Sequence, residues 1–185
     1  MRVIAGTAKS IKLDTIEGDK TRPTTDRTKE TLFNIIQYDV QDCVFLDLFC
    51  GSGAIGIEAL SRGAKQAFFV DNNREAVAIT KKNLKKTKLE EKAKVIKSVA
   101  LASIGEIEAY GLGFDIIFMD PPYNKLLEKD ILLTIEKSGL IHDNTIIIVE
   151  ASIETDFQYL EDTSLHVYRE KNYKTSKHVF IRKNN

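Results

Sequence analysis

Neither charge is in excess in this sequence of 185 residues, because 27 lysines and arginines balance 27 aspartates and glutamates. The global basic excess that most simply indicates a nucleic-acid-binding protein is therefore missing. The two cysteines, Cys43 and Cys50, are too few for a disulfide scaffold and favour reduced thiols in or near a core. No apolar run approaches the roughly 18 residues of a membrane span, and the amino terminus lacks the apolar core of a signal peptide. We therefore expect a cytoplasmic protein with no membrane partner.

Proline is scarce as well, and two of the three prolines stand side by side in Asp120-Pro121-Pro122-Tyr123. This motif directly follows the apolar run 114–119, which predicts a buried strand that ends in an acid, two prolines and an aromatic ring. Proline has no backbone N–H and disfavours helix in the residue before it, so the doublet ends the strand and holds Asp120 extended.

The motif suits methylation of an amine on a nucleobase, and Asp120, Pro121, Pro122 and Tyr123 are the candidate catalytic residues. The lone pair of such an amine is delocalised into the ring. The Asp120 carboxylate and a backbone carbonyl at Pro121 could accept its two hydrogens and turn the lone pair towards an electrophile. The Tyr123 ring could stack on the base, a contact worth about 1 to 3 kcal/mol. Taken alone, these four residues could also be only a turn that closes a strand.

A second motif predicts where the electrophile binds. The apolar run 43–49 reads as a buried strand, and the glycine-containing stretch 51–56 opens a helix, which is the context of a nucleotide-type loop. Asp71 ends the next apolar run, where its carboxylate could bind both hydroxyls of a ribose. Asp47 favours S-adenosylmethionine over a dinucleotide, because a carboxylate just before the turn suits an ammonium group better than a pyrophosphate. The candidate cofactor-binding residues here are Asp47, Phe49, Gly51, Gly53, Asp71 and Asn72.

Helices and strands alternate along the chain, which predicts a parallel sheet with helices on both faces. We predict strands at 43–49, 66–71, 95–96, 114–119 and 145–149. The predicted helices run from Thr25 or Asp26 to about Tyr38 and over 54–62, 73–84, 101–110 and 130–138. Strands at 165–169 and 178–182 would form a hairpin around Asn172. A closing antiparallel hairpin is typical of the α/β, Rossmann-like, seven-stranded fold of class I S-adenosylmethionine-dependent methyltransferases, and not of a dehydrogenase. We expect one domain over 1–185, with residues 1–40 packed on it as an N-terminal extension.

Several stretches together carry a family resemblance: 2–6 (Arg-Val-Ile-Ala-Gly), 21–27 (Thr-Arg-Pro-Thr-Thr-Asp-Arg), 29–34, 47–53, 56–64 and 120–123. Over nearly its whole length the chain resembles the bacterial 16S ribosomal RNA guanine-N2 methyltransferase D family. The resemblance implies methyl transfer from S-adenosylmethionine to the exocyclic N2 amine of the guanine at nucleotide 966 of 16S ribosomal RNA.

The resemblance also implies residue roles. Asp47, Gly51, Gly53 and Asp71 would hold the cofactor, 120–123 would hold a flipped base, and the block Arg22-Pro23-Thr24 would lie over the site. The chain departs from the family pattern at two places. Ser98-Val99-Ala100 stands where an acid would bind the adenine amine, so that contact at Val99 is lost or left to the backbone. Lys174 replaces the glycine expected after the hairpin tyrosine.

Basic residues gather near the two ends of the sequence, and both clusters could flank a phosphate backbone. The candidate RNA-binding residues are Arg2, Lys9, Arg22, Arg27 and Lys171. The expected partner is 16S ribosomal RNA within the 30S subunit or an assembly intermediate, with no DNA partner and a monomeric protein. The three histidines, His142, His166 and His178, share no ligand spacing, so we interpret them as surface or strand positions and predict no metal site.

Three alternatives remain open at this point. A DNA adenine-N6 methyltransferase uses the same four-residue site, but such enzymes normally carry an added target-recognition region. A protein-glutamine methyltransferase would be expected to have asparagine in place of Asp120. Outside catalysis, the chain could be a degenerate methyltransferase fold that binds RNA as an assembly factor.

Overall fold

Seven strands form one sheet in the computed structural model, which describes residues 1–16, 25–122 and 126–184. The strands are β1 (Val44–Leu48), β2 (Gln66–Asp71), β3 (Ala93–Lys97), β4 (Phe114–Met119), β5 (Ile141–Ser152), β6 (Leu165–Asn172) and β7 (Ser176–Lys183). Their order in the sheet is β3-β2-β1-β4-β5-β7-β6. The first five strands are parallel, and β7 pairs antiparallel with both β5 and β6. The predicted parallel sheet with a closing antiparallel hairpin is confirmed.

Helices cover both faces of this sheet. They are α1 (Asp26–Ile35), α2 (Ala54–Ser61), α3 (Arg74–Thr87), α4 (Ala100–Glu108) and α5 (Leu127–Glu136). Helices α1 to α3 share one apolar core with one side of the sheet, and α4 and α5 share a second core with the other side. Among the residues that the structure describes, no helix is long and apolar enough to span a membrane.

The observed helix boundaries follow from their caps. Thr25 caps α1, since the Thr28 N–H donates to its hydroxyl at 3.1 Å. Asn73 caps α3, because its side chain accepts from the Glu75 N–H at 2.8 Å.

Three predicted helix boundaries are wrong by three residues each. Helix α1 ends at Ile35 and not near Tyr38, because a turn closes there with the Asp39 N–H on the Ile36 carbonyl. Helix α3 continues to Thr87 and stops where Lys88 adopts a left-handed conformation with φ of 58°. Helix α5 already starts at Leu127, three residues before the predicted start.

The N-terminal segment (residues 1–16) is tied to α2 and α3 by buried polar groups. The Glu58 carboxylate accepts from the N–H groups of Ile4 and Ala5 at 2.8 and 3.0 Å. It also pairs with Lys29 Nζ at 3.1 Å, and both of these side chains are fully buried. Glu58 therefore anchors this segment to the fold.

Candidate functional site

Four acids lie along one edge of the sheet, each at or near the carboxyl end of a parallel strand. Asp71 ends β2, Asp120 follows β4, Asp47 is the fourth residue of β1, and Glu150 lies in β5 just past its last residue paired with β4. Side chains alternate between the two faces of a strand, and residues two positions before these acids belong to the core shared with α1 to α3. All four acids therefore lie on the same face. The strand order reverses between β1 and β4, and ligands of open α/β sheets bind at such a point.

The loop after β1 forms the floor of this edge. Phe49, Gly51 and Gly53 all have positive φ angles, of 61°, 53° and 76°. Gly53 must be glycine on two counts, since it precedes α2 in a left-handed conformation and a Cβ there would press on the Thr80 side chain at 2.8 Å. A Cβ at Gly51 would meet nothing within 4 Å, so the space above Gly51 is open. The predicted glycine turn is therefore a sharp loop with an open side at its apex.

Asp47 lies buried beneath this loop with 1% of its surface exposed. Its Oδ2 accepts from the Gly56 N–H at 2.9 Å, so the carboxylate itself takes one of the N–H groups at the amino terminus of α2. Burial raises the pKa of Asp47 to about 7, and the charge of Asp71 adds to the rise while the Gly56 hydrogen bond opposes it. A cation beside Asp47 would remove much of this penalty.

Asp71 holds the loop after β1 against the loop after β2. Its Oδ2 accepts from the Gly51 N–H at 2.9 Å, and its Oδ1 accepts from the Asn73 N–H at 2.9 Å. A carboxylate oxygen has two lone pairs, so each oxygen can accept one further hydrogen bond. The side chain of Asn72 is exposed at the mouth of the same edge.

Asp120 stands at the carboxyl end of β4, next to Asp47 of β1 and Glu150 of β5. Pro121 is buried and Pro122 is exposed, as expected where a chain leaves a sheet. Burial raises the pKa of Asp120 well above its usual range, and the charges of Glu150 and Asp47 raise it further. Tyr123 lies outside the described residues, so its predicted stacking role stays a prediction.

Val99 caps α4 with its backbone and has 57% of its surface exposed. The neighbouring Ser98 N–H donates to the Asp71 carbonyl at 3.1 Å, so this turn lies beside the ribose-binding candidate. A valine side chain has no polar atom for an adenine amine. An adenine contact at this turn would have to come from its backbone.

Most of the candidate RNA-binding side chains lie on the surface. Arg2, Lys9, Arg27 and Lys171 are exposed, while Arg22 lies outside the described residues. Arg2 Nε lies 3.3 Å from Asp26 Oδ2, so this arginine is already paired. Lys171 is the cross-strand partner of His178 and therefore lies on the acid-bearing face of the sheet.

Two residues at this edge escaped prediction, namely Glu150 and the fully buried His178. The interpretation of His178 as a strand position is correct, but it is not at the surface. Strand β7 is buried from Lys177 to Ile181, so no polar–apolar alternation marks which side chains face inwards. Glu150 did carry a usable signal, because it follows an apolar run just as Asp71 and Asp120 do.

Comparisons with known proteins give the following similarities. The family model described as conserved hypothetical protein 95 matches residues 1–182. The YlbH protein of Bacillus subtilis is 38% identical over 156 residues, which cover 84% of this chain and 85% of that protein. Ribosomal RNA small subunit methyltransferase D of Escherichia coli K12 is 36% identical over 154 residues, 83% of this chain and 76% of that protein. The solved yhhF structure of Escherichia coli has a TM-score of 0.85 at 32% identity and covers 100% of this chain and 98% of its own.

Proposed function

Because this chain belongs to the ribosomal RNA small subunit methyltransferase D family, we propose that it methylates the exocyclic N2 amine of one guanine, nucleotide 966, in 16S ribosomal RNA. At the coarser level the chain is an S-adenosylmethionine-dependent rRNA methyltransferase with the Rossmann-like fold of that enzyme class. The observation that carries the finer proposal is Asp120, an acid held at the strand edge by two prolines beside the glycine loop.

The residues at the edge fit S-adenosylmethionine, which supplies a methyl group bound to a positively charged sulfur. Asp47 would bind the amino-acid ammonium group, which gives this buried carboxylate the counter-charge that its raised pKa indicates it needs. Asp71 would bind the ribose hydroxyls with its remaining lone pairs. Gly51 and Gly53 would let the ligand approach the backbone closely, with Phe49, Asn72 and the backbone at Val99 around it.

The chemistry requires mainly orientation by the protein. The Asp120 carboxylate accepts one N–H of guanine N2 and the backbone carbonyl of Pro121 accepts the other, while the Tyr123 ring stacks on the base. The lone pair of N2 would then point at the methyl carbon, so that a bond from nitrogen to carbon could form as the bond from carbon to sulfur breaks. The surplus proton of the methylated nitrogen would pass to the Asp120 carboxylate that already accepts its hydrogen bond. No general base is needed beforehand, because N2 becomes acidic only after it is methylated. The base must leave its stack to reach this edge, which favours an unpaired nucleotide.

Asp71→Asn tests the cofactor assignment. We expect the dissociation constant for S-adenosylhomocysteine to rise about tenfold, because one charge-assisted hydrogen bond to the ribose is weakened, and turnover to recover at saturating S-adenosylmethionine. Asparagine keeps one acceptor for the loop, so the fold should survive. Calorimetric titration measures the change, and an unchanged dissociation constant would show that Asp71 does not bind the cofactor.

The net charge of the chain indicates which form of the RNA it recognises. Affinity for a long free RNA scales with the phosphates that a protein neutralises, and this chain has a net charge of zero. We therefore infer that it recognises a small-subunit particle that presents one unstacked guanine, with Arg2, Lys9, Arg27 and Lys171 as candidate phosphate contacts. The Arg22 block would lie over the site. It follows the N-terminal segment, whose Asp14 carbonyl shares the Asn83 amide with the Ser52 carbonyl of the glycine loop.

Methylation of defined substrates tests this function. We expect N2-methylguanine at nucleotide 966 in small-subunit particles that lack the modification, much slower methylation of the same RNA stripped of protein, and almost none of duplex DNA. Mass spectrometry of digested RNA identifies the product and its position. Equal rates on naked RNA and on particles would refute particle recognition, and methyl groups on adenine N6 would refute the guanine assignment.

A further inference from the structure

A chain of three polar side chains lies next to Asp120, on the side away from the glycine loop. Glu150 in β5 comes one residue after the last pair between β4 and β5, so the parallel register sets it beside Asp120. His178 in β7 is the cross-strand partner of Glu150, and its Nε2 lies 3.2 Å from Glu150 Oε2. The Tyr173 hydroxyl lies 3.0 Å from Nδ1 of the same imidazole.

Burial makes this chain costly unless every polar atom has a partner. His178 is fully buried and Glu150 is 7% exposed. A neutral imidazole satisfies all atoms if the Tyr173 O–H donates to Nδ1 and Nε2–H donates to the Glu150 carboxylate. The imidazole is also held by edge-to-face contacts with Phe118 and Tyr173, at centroid distances of 6.1 and 5.0 Å. In this tautomer the hydrogen bonds run in one direction and end on a carboxylate.

Building on the proposed methylation of a base, we propose that Tyr173, His178 and Glu150 are positioning residues that hold a carboxylate charge beside Asp120. In this proposal their effect on the reaction passes through Asp120, so it differs from the effect of a residue that binds substrate.

The charge of Glu150 matters because Asp120 must be ionised to accept an amine hydrogen. The pKa of Asp120 is raised by burial first and then by Glu150 and Asp47. In the described part of the chain, Glu150 from β5 and Asp47 from β1 act directly on Asp120, while His178 from β7 contacts Glu150 and Tyr173 from the turn before β7 contacts His178. Removing the charge of Glu150 lowers the pKa of Asp120, so turnover should persist to lower pH.

The pH dependence of kcat at saturating S-adenosylmethionine tests the proposal in two variants. In Glu150→Gln the acid limb of the profile should move down by about one to three pH units, the usual size for one neighbouring charge. Tyr173→Phe removes only the hydrogen-bond donor to His178 and keeps the charge of Glu150. The acid limb of its profile should therefore move in the same direction, but by less than in Glu150→Gln. The KM for S-adenosylmethionine should stay within a few fold in both variants. Tyr173 is only half-buried, so its variant remains informative if Glu150→Gln does not fold.

The matched control is His142→Gln, which breaks another pair of histidine and acid at the opposite end of β5. His142 Nε2 lies 3.1 Å from Asp115 Oδ1. The acid limb of the His142→Gln profile should coincide with that of the wild type. Three outcomes would overturn the proposal. The acid limb could stay in place in Tyr173→Phe or in folded Glu150→Gln, it could move to higher pH, or it could move equally in the control.

A measurement without turnover separates this proposal from the proposed function. The carboxyl carbon of Asp120, labelled with ¹³C, can be titrated by nuclear magnetic resonance in the wild type and in Glu150→Gln. A lower midpoint in the variant supports the positioning role even if no RNA is methylated, and an equal midpoint overturns it even if methylation is observed.

Discussion

Turnover of the Asp120→Ala variant is expected to fall at least 10- to 100-fold, while its dissociation constant for S-adenosylhomocysteine changes by no more than a few fold. The lower bound follows from one lost charge-assisted hydrogen bond, worth about 1.5 to 3 kcal/mol, before any misalignment of the base is counted. Binding should be spared because Asp120 is proposed to face the base, while the proposed cofactor contacts are made by Asp47 and Asp71. Single-turnover rates and calorimetric titration measure the two quantities separately.

The control for this variant is Asp130→Ala, which removes an exposed acid from the first turn of α5. Its turnover should match the wild type. Near-wild-type turnover of Asp120→Ala would remove Asp120 from the mechanism, and a large loss of cofactor affinity would place its carboxylate in the wrong subsite.

Asp47→Asn should make the free protein more stable and should weaken the binding of the cofactor. The cause is the buried carboxylate, whose pKa is raised from 3.8 to about 7 in the folded protein. Asparagine can still accept from the Gly56 N–H and carries no charge to desolvate. We expect a gain of about 2 to 4 kcal/mol in the free energy of unfolding at pH 8, or about 5 to 10 °C in Tm.

The pH dependence of this gain has a definite sign. A group with a raised folded pKa contributes its stability fully below its unfolded pKa and loses it as the pH rises through the folded value. The advantage of Asp47→Asn should therefore grow from about pH 4 to about pH 7 and stay constant above, since 3.8 and 7 bound the shift.

Thermal unfolding with and without S-adenosylhomocysteine completes the test of Asp47. The ligand should raise the Tm of the wild type clearly more than that of the variant, because the proposed counter-charge for its ammonium group is gone. Asp130→Asn removes an exposed charge on α5 and serves as the control, since its Tm should match that of the wild type with and without the ligand. A lower Tm of free Asp47→Asn than of the wild type at pH 8 would contradict the charge-burial explanation.

Local rules predicted the strands that end in an acid. Strands β2 and β4 have the predicted bounds. An apolar run marks the course of each strand, and Asp71 marks the end of β2 while the Pro-Pro doublet marks the end of β4. Strand β5 runs over Ile141–Ser152 and not only 145–149. Its polar start is held by long-range contacts, among them the pairing of Ile141 with Phe114 and the 3.1 Å contact between His142 Nε2 and Asp115 Oδ1, which no local pattern contains.

The candidate site could be assembled from the sequence where its residues are close together in the chain. Asp47 with its loop and Asp120 with its prolines could be found because each motif is contiguous. Asp120 lies next to Glu150 because β4 pairs with β5, and Glu150 lies next to His178 because β7 pairs with β5. Strand pairing is set by the whole sheet, so these contacts were out of reach of motif reasoning.

The position of β7 also constrains how the molecule is assembled. Strand β7 follows β6 in the chain yet lies between β5 and β6, so until it pairs, β5 with its run Ile146–Val149 presents an open apolar edge. Such edges recruit strands of other chains. Strands β6 and β7 are joined by a short connection, so we expect them to zip into a hairpin first and then dock as one unit. Docking would cover this edge and bring His178 to Glu150 in the same step, so we expect a molecule that resists aggregation also to have its proposed site complete.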